Sequence, residues 1–157
     1  MRKRIAFIVA SWFGAGLIPC PGTFGSFAAL PFIWAAAHLW GAFGVAAFAL
    51  ATFAVGLAAT REVLRWTKPD PGFVVIDEAC GMAVALLPAV ALGLAWPWWA
   101  AAFVLFRFFD IVKPSWIGYI DRKWQSALGV MADDVLAGVF ALACSLAAHL
   151  FSSFPTA

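Results

Sequence analysis

Charge is scarce in this chain. Ten Lys and Arg and eight Asp and Glu are spread over 157 residues, 11% of the total, where a soluble domain carries roughly a quarter. The net charge is only +2, which argues against nucleic acid as a partner. Histidine is nearly absent: His38 and His149 both end apolar segments, which argues against a histidine nucleophile. The three cysteines, Cys20, Cys80 and Cys144, have neither metal nor redox spacing. None is followed six positions later by Arg, so a thiol phosphatase loop is absent.

What the chain has instead is apolar surface. Hydrophobic residues make up 65% and mean hydropathy is +0.96. One small soluble core cannot hide that much, so lipid is the expected solvent. The sequence predicts an all-α, polytopic membrane helical bundle forming one domain over residues 1–157. About five apolar segments can be drawn, Phe27–Trp40, Ala42–Thr60, Gly81–Ala95, Trp98–Phe109 and Val135–Leu150, after a Gly/Pro-rich N-terminal loop. The opening MRKRIAFIVASWFGAG has the look of a signal peptide. However, LIPC lacks the small residues of a lipoprotein site, and an interfacial or partly inserted first helix is expected.

The few charges are not scattered. Arg2, Lys3 and Arg4 precede the first segment. Arg61 to Glu78 holds a second group, and Arg107 to Asp134 a third. The turns at 41–44 and 93–97 and the C-terminal tail have none. Five spans put every charge on one side, and the Lys and Arg bias makes that side cytosolic.

Four charged or glycine-rich stretches would then meet at that face. GAGLIPCPGTFGS, Gly14–Ser26, cannot form one continuous helix. Its end offers amides and the hydroxyls of Thr23 and Ser26 before a helix begins, a setting that suits either an anion or a simple N-cap. DPGFVVIDEACG brings Asp77 and Glu78. RFFDIVKPS brings Arg107, Asp110 and Lys113 at i,i+3 spacings, with Pro114 expected to end the helix. DRKWQSALGVMADDVLAG brings Asp133 and Asp134, expected at the opening of the last span. Helix capping, helix-dipole stabilisation and internal ion pairs explain each stretch singly. Together, carboxylates from three helix ends without His or Cys suit Mg²⁺ or Mn²⁺, with Glu78, Asp110, Asp133 and Asp134 as the expected metal ligands. Arg107 and Lys113 beside them suit the oxygens of a phosphate.

The order of these four motifs resembles the phosphatidylglycerophosphatase A family, over about residues 14–138. The chain departs from the pattern at Ser126 and Ala127, where paired glycine is usual, and at Trp116, where proline is. The resemblance implies a Mg²⁺-dependent membrane phosphatase acting on phosphatidylglycerophosphate. It carries acidic site positions onto Asp77, Glu78, Asp110, Asp133 and Asp134, basic ones onto Arg107 and Lys113, and glycine-loop positions onto Thr23 and Ser26. The competing reading, a small transporter or channel with the acids as an ion path, predicts charges distributed through membrane depth. Motifs of CDP-alcohol phosphotransferases and histidine-type lipid phosphatases do not occur.

Overall fold

The computed structural model describes residues 3–68, 71–114 and 116–153, and of Asp121 the backbone alone. The described residues form helices and connecting turns, with no strand among them. In chain order these are α1 (Lys3–Ala10), a 3₁₀ turn (Ala15–Leu17), α2 (Pro21–Val63), α3 (Ile76–Ala91), α4 (Trp96–Val112), α5 (Trp116–Lys123) and α6 (Ala127–Ser153).

α2 is not one rod. Gly41 has φ 59° and ψ −147°, outside the helical range and accessible because glycine has no Cβ. The ring of Trp12 lies 5.3 Å from Phe32 and 6.0 Å from Phe48. A straight helix would hold those two phenylalanines roughly 24 Å apart along its axis. The chain therefore turns back at Gly41, and arms 21–40 and 42–63 form a hairpin. Gly44 seals the corner, since a Cβ there would strike the carbonyl of Ala36.

The expected segments are helical, but their boundaries move toward the charged end. Two helices, Pro21–Val63 and Ala127–Ser153, are long and apolar enough to cross a membrane. The 16 residues of α3 and 17 of α4 fall short of the ~20 that a perpendicular span needs. PGTFGS does not precede a helix: Pro21 begins α2, with Cys20 as its N-cap. Asp133 and Asp134 do not open a helix either. They lie in the second turn of α6, which starts at Ala127, so helix capping does not account for them. The end of α4 is as expected. Lys113, before Pro114, is left-handed at φ 46° and ψ 55°, and its N–H bonds Phe109 O.

α3 is the central helix. Eleven of its 16 residues are buried, which an apolar helix needs when neighbours cover all its sides. α2 packs on one side of it and α6 on another. The contact with α6 is backbone to backbone. A Cβ on Gly138 would strike the carbonyl of Gly81, and a Cβ on Gly81 would lie 2.5 Å from Asp134 O. Outward faces of α2 carry exposed Phe27, Trp34, Leu39, Phe43 and Leu50. Two hydroxyls among the apolar residues are satisfied within their own helices: Thr52 Oγ1 donates to Phe48 O and Ser145 Oγ to Ala141 O, each at 2.8 Å.

α1 serves as a clamp. Ala6 and Ala10 are fully buried, Phe7 packs on Phe73, and Val75 N donates to Ala10 O at 2.8 Å. The segment leading into α3 is thereby held just before Asp77.

The Gly81–Gly138 contact yields a stability prediction. Gly138→Leu should lower stability by about 1–3 kcal/mol through overpacking, seen as a lower thermal unfolding midpoint in detergent. Gly72→Ala, with nothing within 4 Å of its added Cβ, should leave that midpoint unchanged.

Candidate active site

The charged ends of α3, α4 and α6 and the start of α2 enclose a cavity of about 630 Å³. Asp77, Glu78, Asp110, Asp133 and Asp134 all line it, as do Arg107 and Lys113. Each position follows from local structure. Asp77 and Glu78 occupy the first turn of α3, where acids are stabilised by the helix dipole. The Gly81–Gly138 contact draws that turn against Asp133 and Asp134 one turn before Gly138. Arg107 and Asp110 share a face of the last turns of α4.

The five carboxylates divide into two kinds. Asp77, Glu78 and Asp134 each offer an oxygen within 4.8 Å of the others. Glu78 Oε2 and Asp134 Oδ2 are buried and have no hydrogen-bond partner among the described residues. The remaining two are engaged by cations: Arg107 Nη1 lies 2.7 Å from Asp110 Oδ2, and Lys113 Nζ lies 2.7 Å from Asp133 Oδ2. Of the four expected metal ligands, Glu78 and Asp134 thus fall in the close group, with Asp77 as its third member, while Asp110 and Asp133 face Arg107 and Lys113.

Electrostatics sets the first kind apart. Burial pushes the Asp77 carboxyl well above its ordinary range, and the neighbouring Glu78 charge adds to the effect. Burial likewise pushes Glu78 up to about 8, against the lowering influence of a hydrogen bond with Asp77. Like charges drawn together and removed from water disfavour ionisation unless a cation joins them.

The glycine-rich segment takes a different part from the expected one. Ser26 is buried; its Oγ donates to Gly22 O at 2.8 Å and accepts from Arg107 Nη1 at 3.4 Å. It steadies the guanidinium and leaves the cavity wall to others. Thr23 is exposed and does not line the cavity. Gly22 does: a Cβ there would lie 2.6 Å from Glu78 Oε1 and 2.8 Å from Arg107 Nη2. Its N–H belongs to the first turn of α2, where amides lack intrahelical partners. The histidines stand apart from the cavity. His38 stacks on Trp34 and His149 lies edge-on to Trp98.

Arg122, Trp124 and Gln125 also line the cavity, and the motifs did not single them out. The available signal was an i,i+4 pair: Gly118 lets the Arg122 guanidinium lie against its own helix, 3.1 Å from where a Cβ would stand.

Carboxylates close enough together to hold a cation thus line one cavity with Arg107 and Lys113, in a helical protein with two helices fit to cross a membrane. The chain matches the phosphatidylglycerophosphatase A family over residues 8–149 and belongs to that family of phosphatases. It is 39% identical to phosphatidylglycerophosphatase A of Haemophilus influenzae over 140 residues, covering 86% of this chain and 83% of the relative. It is 35% identical to the Escherichia coli protein of the same name over 135 residues, 84% and 76% of the two chains. A putative phosphatidylinositol-3-phosphatase of Bacteroides thetaiotaomicron is 40% identical over 151 residues, 88% and 91%. No solved structure matches the chain.

The Arg107–Asp110 pair, with both side chains largely buried, gives a second prediction. Arg107→Met should destabilise by about 3 kcal/mol, because it strands buried charge. The double variant Arg107→Met/Asp110→Asn should recover part of that loss in a double-mutant cycle of unfolding midpoints.

Proposed function

We propose that this chain hydrolyses the phosphomonoester of phosphatidylglycerophosphate, releasing phosphatidylglycerol and inorganic phosphate, with Mg²⁺, or Mn²⁺ in its place. The single observation carrying this reading is the close group Asp77, Glu78 and Asp134, with oxygens of Glu78 and Asp134 unpartnered among the described residues, lining a cavity that also holds Arg107 and Lys113. An all-oxygen donor set fits a hard divalent cation. Bound there, the ion would supply Lewis-acid polarisation of a phosphoryl oxygen and a more acidic water.

The chain's own residues do the rest. Arg107, braced by Ser26 and Asp110, presents its guanidinium to the non-bridging oxygens. The free amide of Gly22 at the start of α2 adds a neutral donor. In the reaction the oxygen of water bonds to phosphorus and the P–O bond to glycerol breaks. One proton passes from the water to the departing glycerol oxygen. Asp110 and Asp133, outside the close group, are the carboxylates available to carry that proton. Lys113 holds Asp133 in place and adds positive charge at the developing phosphate.

In the proposed membrane arrangement the two arms of α2, then α3, α4 and α6, cross or enter the bilayer as five segments. The charged end lies at the cytoplasmic face of a bacterial inner membrane. Short α3 and α4 fit by local thinning and by the tryptophans that open α4. The substrates named for the relatives support the class of reaction: each is a diacylglycerol joined through a phosphodiester to a polyol bearing a phosphomonoester. A channel would need charge along its length. The helix stretches from 79 to 106 and from 135 to 153 carry none.

The direct test is phosphate release from phosphatidylglycerophosphate in detergent micelles. EDTA should abolish it and Mg²⁺ restore it. Asp134→Asn and Glu78→Gln should each lower kcat by at least about 100-fold while the protein stays folded, a loss on the scale of removing a transition-state charge stabiliser. A well-folded wild type inactive with and without Mg²⁺ rejects the reading. Orientation has its own test. Cys20 is exposed at the charged end, so a membrane-impermeant maleimide should label it in opened membranes and spare it in intact spheroplasts, with Cys20→Ser as the control.

A further inference from the structure

We propose that Arg122 is a specificity-determining residue that binds the phosphodiester of the lipid substrate, the anionic group that remains in the product. The inference rests on the phosphatase reading above and extends it to how the site selects a substrate with two phosphates.

Three cations line the cavity: Arg107, Lys113 and Arg122. The first two face Asp110 and Asp133 within the cavity. Arg122 has no carboxylate partner among the described residues, and it is exposed. Its guanidinium is nevertheless placed, lying along α5 in the gap left by Gly118. An arginine held at a cavity mouth without a counter-ion is a ready anion site.

The depth of α5 indicates which anion. Ile117 is fully buried against the bundle, while Trp116 and Tyr119 stand exposed, as does Trp124 just past the helix end. Such aromatics settle at the headgroup level of a bilayer. The diester of a glycerophospholipid lies at that level, next to the acyl chains. The monoester, beyond the glycerol, reaches further in, toward Arg107 and the three close carboxylates. One cation group thus reads the phosphate that is cut and Arg122 the phosphate that is kept. A lipid with a monoester alone leaves Arg122 unused.

The test compares wild type, Arg122→Gln and Arg122→Lys in mixed micelles. Arg122→Gln should raise KM for phosphatidylglycerophosphate about tenfold or more, keep kcat within about twofold, and leave the Ki of inorganic phosphate unchanged. Arg122→Lys should recover most of the KM, which a merely structural role would not predict. A second arm is independent of turnover: short-chain phosphatidylglycerol, which has the diester and lacks the monoester, should bind Arg122→Gln about tenfold more weakly than wild type in calorimetry. Equal binding, an unchanged KM, or a phosphate Ki that rises with KM overturns the assignment of Arg122 to the diester. Wild-type inactivity rejects the phosphatase reading instead, and the binding arm still decides the role of Arg122.

Discussion

The site depends on one close approach. Where α3 meets α6, Gly81 and Gly138 leave no side chain between the two backbones. Helices surrounded by lipid gain nothing from burying apolar surface against each other, so close packing at small residues is what holds them together. That contact lies one turn inward from Asp77, Glu78, Asp133 and Asp134. Two helices held there at backbone distance cannot keep their acids apart. Carboxylate repulsion is therefore imposed by the fold, and the apolar packing behind it resists relaxation.

The second constraint is the division of labour among like charges. Five carboxylates and three cations line one cavity. Had each acid its own basic neighbour, the site would be an electrostatically closed structural network. Asp110 and Asp133 behave in that way, at 2.7 Å from Arg107 and Lys113. Glu78 Oε2 and Asp134 Oδ2 have no hydrogen-bond partner among the described residues, and buried oxygens without partners are costly unless something else satisfies them. The imbalance, more than the number of acids, is what leaves Asp77, Glu78 and Asp134 able to hold a metal ion.

Much of this was legible in the sequence because it follows from composition and order. Helicity, the glycine corner at Gly41, the termination of α4 at Lys113 and the gathering of charge at helix ends all follow from local rules. The convergence of Asp77, Glu78, Asp110, Asp133, Asp134, Arg107 and Lys113 was expected from four motifs in order. What was not legible is how far each helix continues. The apolar pattern stops before the charged turns, yet the backbone stays helical through them because their side chains are held in a shared cavity. PGTFGS therefore read as a loop and DD as a helix start, whereas both lie within helices. The pairing of acids with cations was also hidden, since i,i+3 spacing does not say which of several neighbours an arginine will prefer.

Ser26 and Thr23 show the limit most clearly. Three positions apart in sequence and alike in chemistry, both are expected from the motifs to act on phosphate. One turn of α2 separates their fates: Ser26 faces inward, bonded to Gly22 O and touching Arg107, while Thr23 faces out. The residues of this segment that meet the cavity are Pro21 and Gly22, and Gly22 offers only backbone. In a segment that must pack against a carboxylate and a guanidinium at once, a side chain at Gly22 would collide with Glu78 and Arg107. Gly22 is thus part of the cavity's shape, and the Ser26 hydroxyl touches the cavity's lining only through Arg107.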